Sequence, residues 1–181
     1  MPSNRQRALD AAVDLLGTAG MRSLTHARVD ARAGLPPGST SNYFRTRSAL
    51  VKGVLDHMVE VETPVVDAMT LARTPDELVT EIVRIYEFLT GPSRTLTTAR
   101  MVLLLEASHD ESLRAELAAG RASFERLIMP SLVALGAPDP QALMDALASA
   151  IEGMYLHRIA RHADIDPEPV IRLVLRGGLG R

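Results

Sequence analysis

Residues 25–50, THARVDARAGLPPGSTSNYFRTRSAL, constrain the fold more than any other stretch, because a helical pattern must stop and restart there within a few residues. Thr25 can cap a helix by offering its hydroxyl oxygen to a free backbone N–H one turn in, and Gly34 can end that helix in a left-handed conformation. Pro36 suits the first turn of a second helix, where its missing N–H would be unpaired anyway, so a helix is expected from about Pro36 to Tyr43. Another opens at Thr46. Two helices joined by a short glycine-containing turn form a helix-turn-helix. At 1.5 Å per residue the second helix spans only about 10 to 12 Å, enough to address a few base pairs.

Charge sharpens this expectation. A helix N-terminus carries partial positive charge, which favours acids there and disfavours bases. Later helix starts obey the rule at Pro75-Asp76-Glu77, Asp110-Glu111, Asp139-Pro140 and Asp166-Pro167-Glu168. The opening stretch breaks it, with His26 and Arg28 after Thr25 and Arg47 after Thr46. Bases at positive helix ends suit an external anion, and DNA phosphate is the natural one. The whole chain is nearly neutral at −2, yet residues 1–52 hold eight Lys/Arg against three acids, a net of +5, and residues 53–181 hold twelve against nineteen, a net of −7. A basic head on an acidic body fits a phosphate-binding module joined to a domain with another task.

Around this head the chain reads as all-α. Leu9, Ala12, Val13 and Leu16 recur at helical spacing over residues 4–19, and Gly20 stops that helix. A long helix from Thr46 to about Leu71 joins head to body, with a kink or break expected at Pro64. Five further helices are expected at about 75–90, 93–107, 110–135, 139–162 and 167–176. Met101 to Leu105 is apolar all round, which predicts an enclosed segment. Helix 139–162 carries Leu143, Leu147 and Ile151 on one side and Met144, Tyr155 and Ile159 on another, one for the interior and one for a second subunit.

Other classes find little support. The chain has no cysteine, hence no disulfide or thiolate chemistry. Glu106 and His109 form a Glu-x-x-His pair, but a di-iron bundle needs a second pair and two further inward glutamates, which are missing. His157 and His162 are five apart, off the i, i+4 spacing of a shared metal. There is no nucleophile elbow or phosphate-binding glycine loop, so no enzyme, cofactor or metal site is expected. No signal-peptide pattern or uncharged run of about 18 apolar residues occurs, so a cytoplasmic location without a membrane is expected. A helical adaptor or ligand-binding protein that does not touch DNA is the alternative.

The order Thr25, Val29, Ala33-Gly34-Leu35, Gly38, Tyr43-Phe44, Thr46-Arg47 and Leu50, behind a helix ending at Gly20, resembles the tetracycline-repressor-like family of bacterial transcription regulators. The likeness covers roughly residues 5–55. It implies a DNA-binding domain over 1–50, with the start of a linking helix at 46–72, and a helical effector-binding and dimerisation domain over 51–181. It further implies a homodimer on a palindromic double-stranded operator, released by a small-molecule effector. Ser39, Ser41, Asn42 and Tyr43 fall at recognition-helix positions, Thr25, His26 and Arg28 at backbone contacts, and Arg47 where a lysine usually meets phosphate. Ser41 stands in place of a common tyrosine, and Thr40 in place of an apolar residue. Pro36-Pro37 removes two N–H groups, which shifts the phosphate grip toward arginines. Asn42 is the best base reader, since its amide can pair with adenine N6 and N7. An apolar effector cavity is expected among the middle helices, lined by Tyr86, Met101, Phe124 and Met154 with Arg100 or His157 as polar anchors. One short helix cannot supply operator specificity, so two heads about 34 Å apart are needed, with helices 139–162 and 167–176 as the dimer contact.

Overall fold

The computed structural model describes residues 2–68 and 70–180, without the side chains of 65–67, 119–121, 123 and 124. Among the described residues the chain is all-α. Its helices are α1 (Asn4–Ala19), α2 (His26–Ala33), α3 (Ser39–Tyr43), α4 (Arg47–Asp67), α5 (Pro75–Thr90), α6 (Arg94–Glu106), α7 (Glu111–Ala134), α8 (Pro140–Ala160) and α9 (Pro167–Gly178), with 3₁₀ turns at Met21–Ser23 and Ala107–His109.

Caps encoded in the sequence set most helix starts. Ser3, Thr25, Thr74 and Asp139 each accept a backbone N–H three residues on, a contact contributing about 1 kcal/mol. Pro75, Pro140 and Pro167 occupy first-turn positions where no N–H is required. Gly34, at φ 62° and ψ 37°, closes α2, and the Leu35 N–H returns to the Asp30 carbonyl at 2.9 Å.

The second helix of the head departs from expectation. It begins at Ser39 rather than Pro36, because Leu35 and Pro36 each precede a proline and are disfavoured from helical geometry, and Gly38 turns the chain at φ 86°. Pro36-Pro37-Gly38 is therefore a turn, and only five residues of helix remain. At Pro64, where a kink or break is expected, α4 is not interrupted and continues to Asp67.

Two compact units are formed. The first holds the chain up to Thr63 together with Thr95–Gly120, and the second holds Pro64–Arg94 and Arg121 onward. In the first unit Leu9 and Leu16 of α1, Val29 of α2, Leu50, Val54 and Met58 of α4 and Leu103 of α6 share one core. Each such residue fully buried contributes roughly 1.5–3 kcal/mol. The expected enclosure of Met101–Leu105 fails here: Leu103 is buried, while Leu104 and Leu105 are 44% and 73% exposed. At 3.6 residues per turn only the face of Leu96, Ala99 and Leu103 can turn inward.

In the second unit α5, α8, α9 and the later half of α7 enclose Ile82, Tyr86, Ile128, Leu132, Leu147 and Ile171. The two apolar sides of α8 both contribute to the interior. Leu143, Leu147 and Ile151 lie in the same core as Met144, because α5 and α9 both pack on α8 and cover two sides at once. Its exposed residues are Gln141, Ala142, Asp145, Ala146, Ser149, Glu152, Leu156 and Ala160, small residues interleaved with polar ones.

Phe44, just past α3, is held against α4 because Gly53 has no side chain. A Cβ there would lie 2.4 Å from Phe44 Cε1. Gly53→Ala is expected to overpack this contact and destabilise the chain by about 1–3 kcal/mol in denaturant unfolding; wild-type stability would show that the ring moves aside freely.

Candidate nucleic-acid interface

A helix of five residues cannot hold itself together, since nucleation is costly and most of its polar groups lack intrahelical partners. α3 takes its missing partners from α2. Asp30, 3% exposed, accepts hydrogen bonds from Gly38 N (2.8 Å) through Oδ2 and from Thr40 N (2.8 Å) and Thr40 Oγ1 (2.5 Å) through Oδ1. At the other end His26 Nε2 donates to the carbonyl of Phe44 at 2.6 Å. That carbonyl can only accept, so Nε2 carries the proton. Burial by itself pushes the Asp30 carboxyl up, but hydrogen bonds from the Thr40 hydroxyl and the Thr40 and Gly38 N–H groups, with His26 nearby, bring it below the ordinary carboxylate value.

The side chains that face outward are polar. Ser41, Asn42 and Tyr43 are exposed and Ser39 is half-buried. Ser39 Oγ donates to Pro36 O (2.6 Å) and Ser41 Oγ to Gly38 O (2.8 Å), so both hydroxyl protons serve the turn and their oxygens remain free to accept. Thr25 Oγ1 accepts from Arg28 N at 3.3 Å, which leaves its proton available. The bases divide into two groups. Arg7 donates to the Ala33 and Gly34 carbonyls that end α2, and Arg32 pairs with Asp14. Arg28 and Arg45 are exposed, and Arg47 uses Nη2 on the Met21 carbonyl at 3.1 Å with its other donors still available. Asp30 had no part in the sequence reading beyond its charge. Its signal was an acid in a basic segment, eight residues before a glycine and ten before a threonine.

The expected effector residues fall in both units. In the second, Tyr86 is fully buried and stacks on Tyr155 with centroids 5.4 Å apart and planes 4° apart. Its hydroxyl donates to Met154 O at 3.4 Å, and the Arg158 guanidinium lies 5.9 Å from its ring centre. Met154 is buried and His157 half-buried. In the first unit Arg100 is bound to the Glu62 carboxylate, and Met101 beside it is half-buried. Phe124 lies outside the residues whose side chains are described. Tyr155 and Arg158 join this group only through the structure. Among the described residues no three His, Asp or Glu side chains gather as a metal site, and no helix is long and apolar enough to cross a membrane.

A family model described as tetracyclin repressor-like, C-terminal domain, matches residues 73–181, more than half of the chain. The chain belongs to the tetracycline-repressor-like family. It is a DNA-binding transcriptional regulator. The chain is similar to the HTH-type transcriptional regulator BetI of Rhizobium meliloti (strain 1021), with 24% identity over 174 residues, 95% of this chain and 86% of BetI. A family member from Streptomyces coelicolor A3 superimposes with a TM-score of 0.80 at 28% identity, over 97% of this chain and 98% of its own. The multidrug binding protein EbrR, solved with ethidium, gives 0.76 at 27% identity over the same shares.

Because the Asp30 carboxyl titrates below its unfolded value, its contribution to stability is complete above about pH 4 and is lost as pH falls through the lower folded value. Asp30→Asn, which sets an amide against a backbone N–H, is expected to cost about 1–3 kcal/mol near pH 7. Thermal melts of both chains should converge as pH falls through the folded value, whereas a gap independent of pH would contradict the assignment.

Proposed function

We propose that the chain is a homodimeric repressor that binds a palindromic operator through α3 and leaves it when a small molecule occupies the second unit. The observation that carries the DNA reading is the exposed face of α3, with Ser41, Asn42 and Tyr43 free of core duties and flanked by the uncommitted donors of Arg28 and Arg47. Asn42 reads base edges, Ser39, Ser41 and Tyr43 supply neighbouring contacts, and Thr25, Arg28 and Arg47 grip phosphate. His26 has only Nδ1 left for such a contact. Regulation proceeds by binding alone, without catalysis, in the cytoplasm.

Dimerisation uses α8 and α9. The small exposed residues of α8 allow close approach of a second helix, and Leu173 of α9 stands 70% exposed on the free chain. A hollow of about 330 Å³ between them is lined by Ala142, Ala146, Val174 and Gly177 among others. The effector is an aromatic compound seated by the Tyr86–Tyr155 stack with Met154 and His157. EbrR, seen with ethidium, proflavin and malachite green, supports this class.

Fluorescence-anisotropy titrations with operator and random duplex test the roles. Arg47→Ala should weaken binding to both alike and reduce the salt slope by about 1, while Asn42→Ala should relax preference at one base position, by about 1–3 kcal/mol. The reverse pattern would overturn the assignment, and affinity for duplex that is weak and insensitive to salt would favour a helical adaptor. Leu173→Glu is expected to give a folded monomer by light scattering at micromolar concentration; an intact dimer would place the contact elsewhere.

A further inference from the structure

We propose that Asp30 and His26 are positioning residues for base recognition, an acid and a base on α2 that grip α3 at both ends and set its pose. The two are four residues apart and so share one face of α2. Their order matches the polarity of α3: the carboxylate sits at the helix start, where N–H groups are unpaired, and the imidazole donates to the carbonyl just past its end. Thr40 is fully buried, so without Asp30 its hydroxyl would have no water to bond. Apolar packing alone is non-directional and lets a short helix slide, whereas these hydrogen bonds weaken steeply when distance or angle drifts.

The carboxylate has a second effect. Its charge lies beneath the start of α3 and disfavours a phosphate at that helix end. The phosphate grip then falls to arginines beside the helix, leaving α3 to read bases.

This inference rests on α3 being the base-reading helix, and the test separates the two. Operator is defined as the duplex the wild-type chain enriches from a random pool, and affinities for operator and random duplex are measured on the full-length chain under conditions where circular dichroism shows it folded. Asp30→Asn should lower the operator preference by about tenfold or more, the scale of a mismatched base pair, with affinity for random duplex unchanged or raised. His26→Ala should also lower the preference, and His26→Gln, whose amide can donate to the Phe44 carbonyl, should restore it. Equal losses on both duplexes, or an unchanged preference, would overturn the proposal. If Asp30→Asn does not fold, the His26 variants decide: a glutamine that behaves as alanine refutes the grip. If α3 is not the reader, Asn42→Ala leaves the preference intact too; if only the grip is wrong, Asn42→Ala relaxes it while Asp30→Asn does not.

Discussion

The buried carboxylate of Asp30 decides whether the reading head has a second helix at all. α3 is too short to persist by its own hydrogen bonds, and two prolines precede it where a longer first turn would otherwise form. Taking a charge out of water is unfavourable, but two backbone N–H groups and a hydroxyl surround this one, and together they outweigh the loss of hydration. The turn shares this contact, since Gly38 donates its N–H to Oδ2 and its positive φ redirects the chain so that Ser39 begins the helix and the Thr40 N–H meets Oδ1. Phe44 then closes the far end, its carbonyl bound by His26 and its ring seated over Gly53.

Local signals were legible and distant ones were not. Thr25 and Gly34 act within one helical turn, so the cap and the stop could be read directly and both are present, and helices also begin at the acidic starts of Pro75, Pro140 and Pro167. Pro36 obeyed the same local rule in sequence, yet the conformational limits on residues before proline and the turn at Gly38 prevailed. Asp30 was overlooked because its partners lie eight and ten residues away across that turn, where no periodicity points. The apolar run at Met101–Leu105 misled because periodicity counts apolar faces without saying how many neighbours cover them. For the head, the family likeness was visible in residues 25–50. In the body the family model matches residues 73–181, although apolar stripes there had suggested only an all-helical domain.

The same physics sorts the charges. Arg7 and Arg32 lie in the basic head but are consumed by the ends and flanks of its own helices, whereas Arg28, Arg45 and Arg47 keep donors facing solvent. A basic segment is therefore less a uniform patch than a few arginines spared from structural work. Under the proposed roles, these arginines beside α3, with an acid beneath its start, would separate affinity for the backbone from discrimination among bases. In the proposed dimer, the exposed small residues of α8 and Leu173 of α9 would join two such heads and so double the reach of a short helix.

Selection of bound duplexes from a random pool tests this account most directly. The account predicts enrichment of an inverted repeat whose half-sites lie about one helical turn, or a small multiple of it, apart. Recovery of a single unrepeated site, or no enrichment over the starting pool, would contradict it.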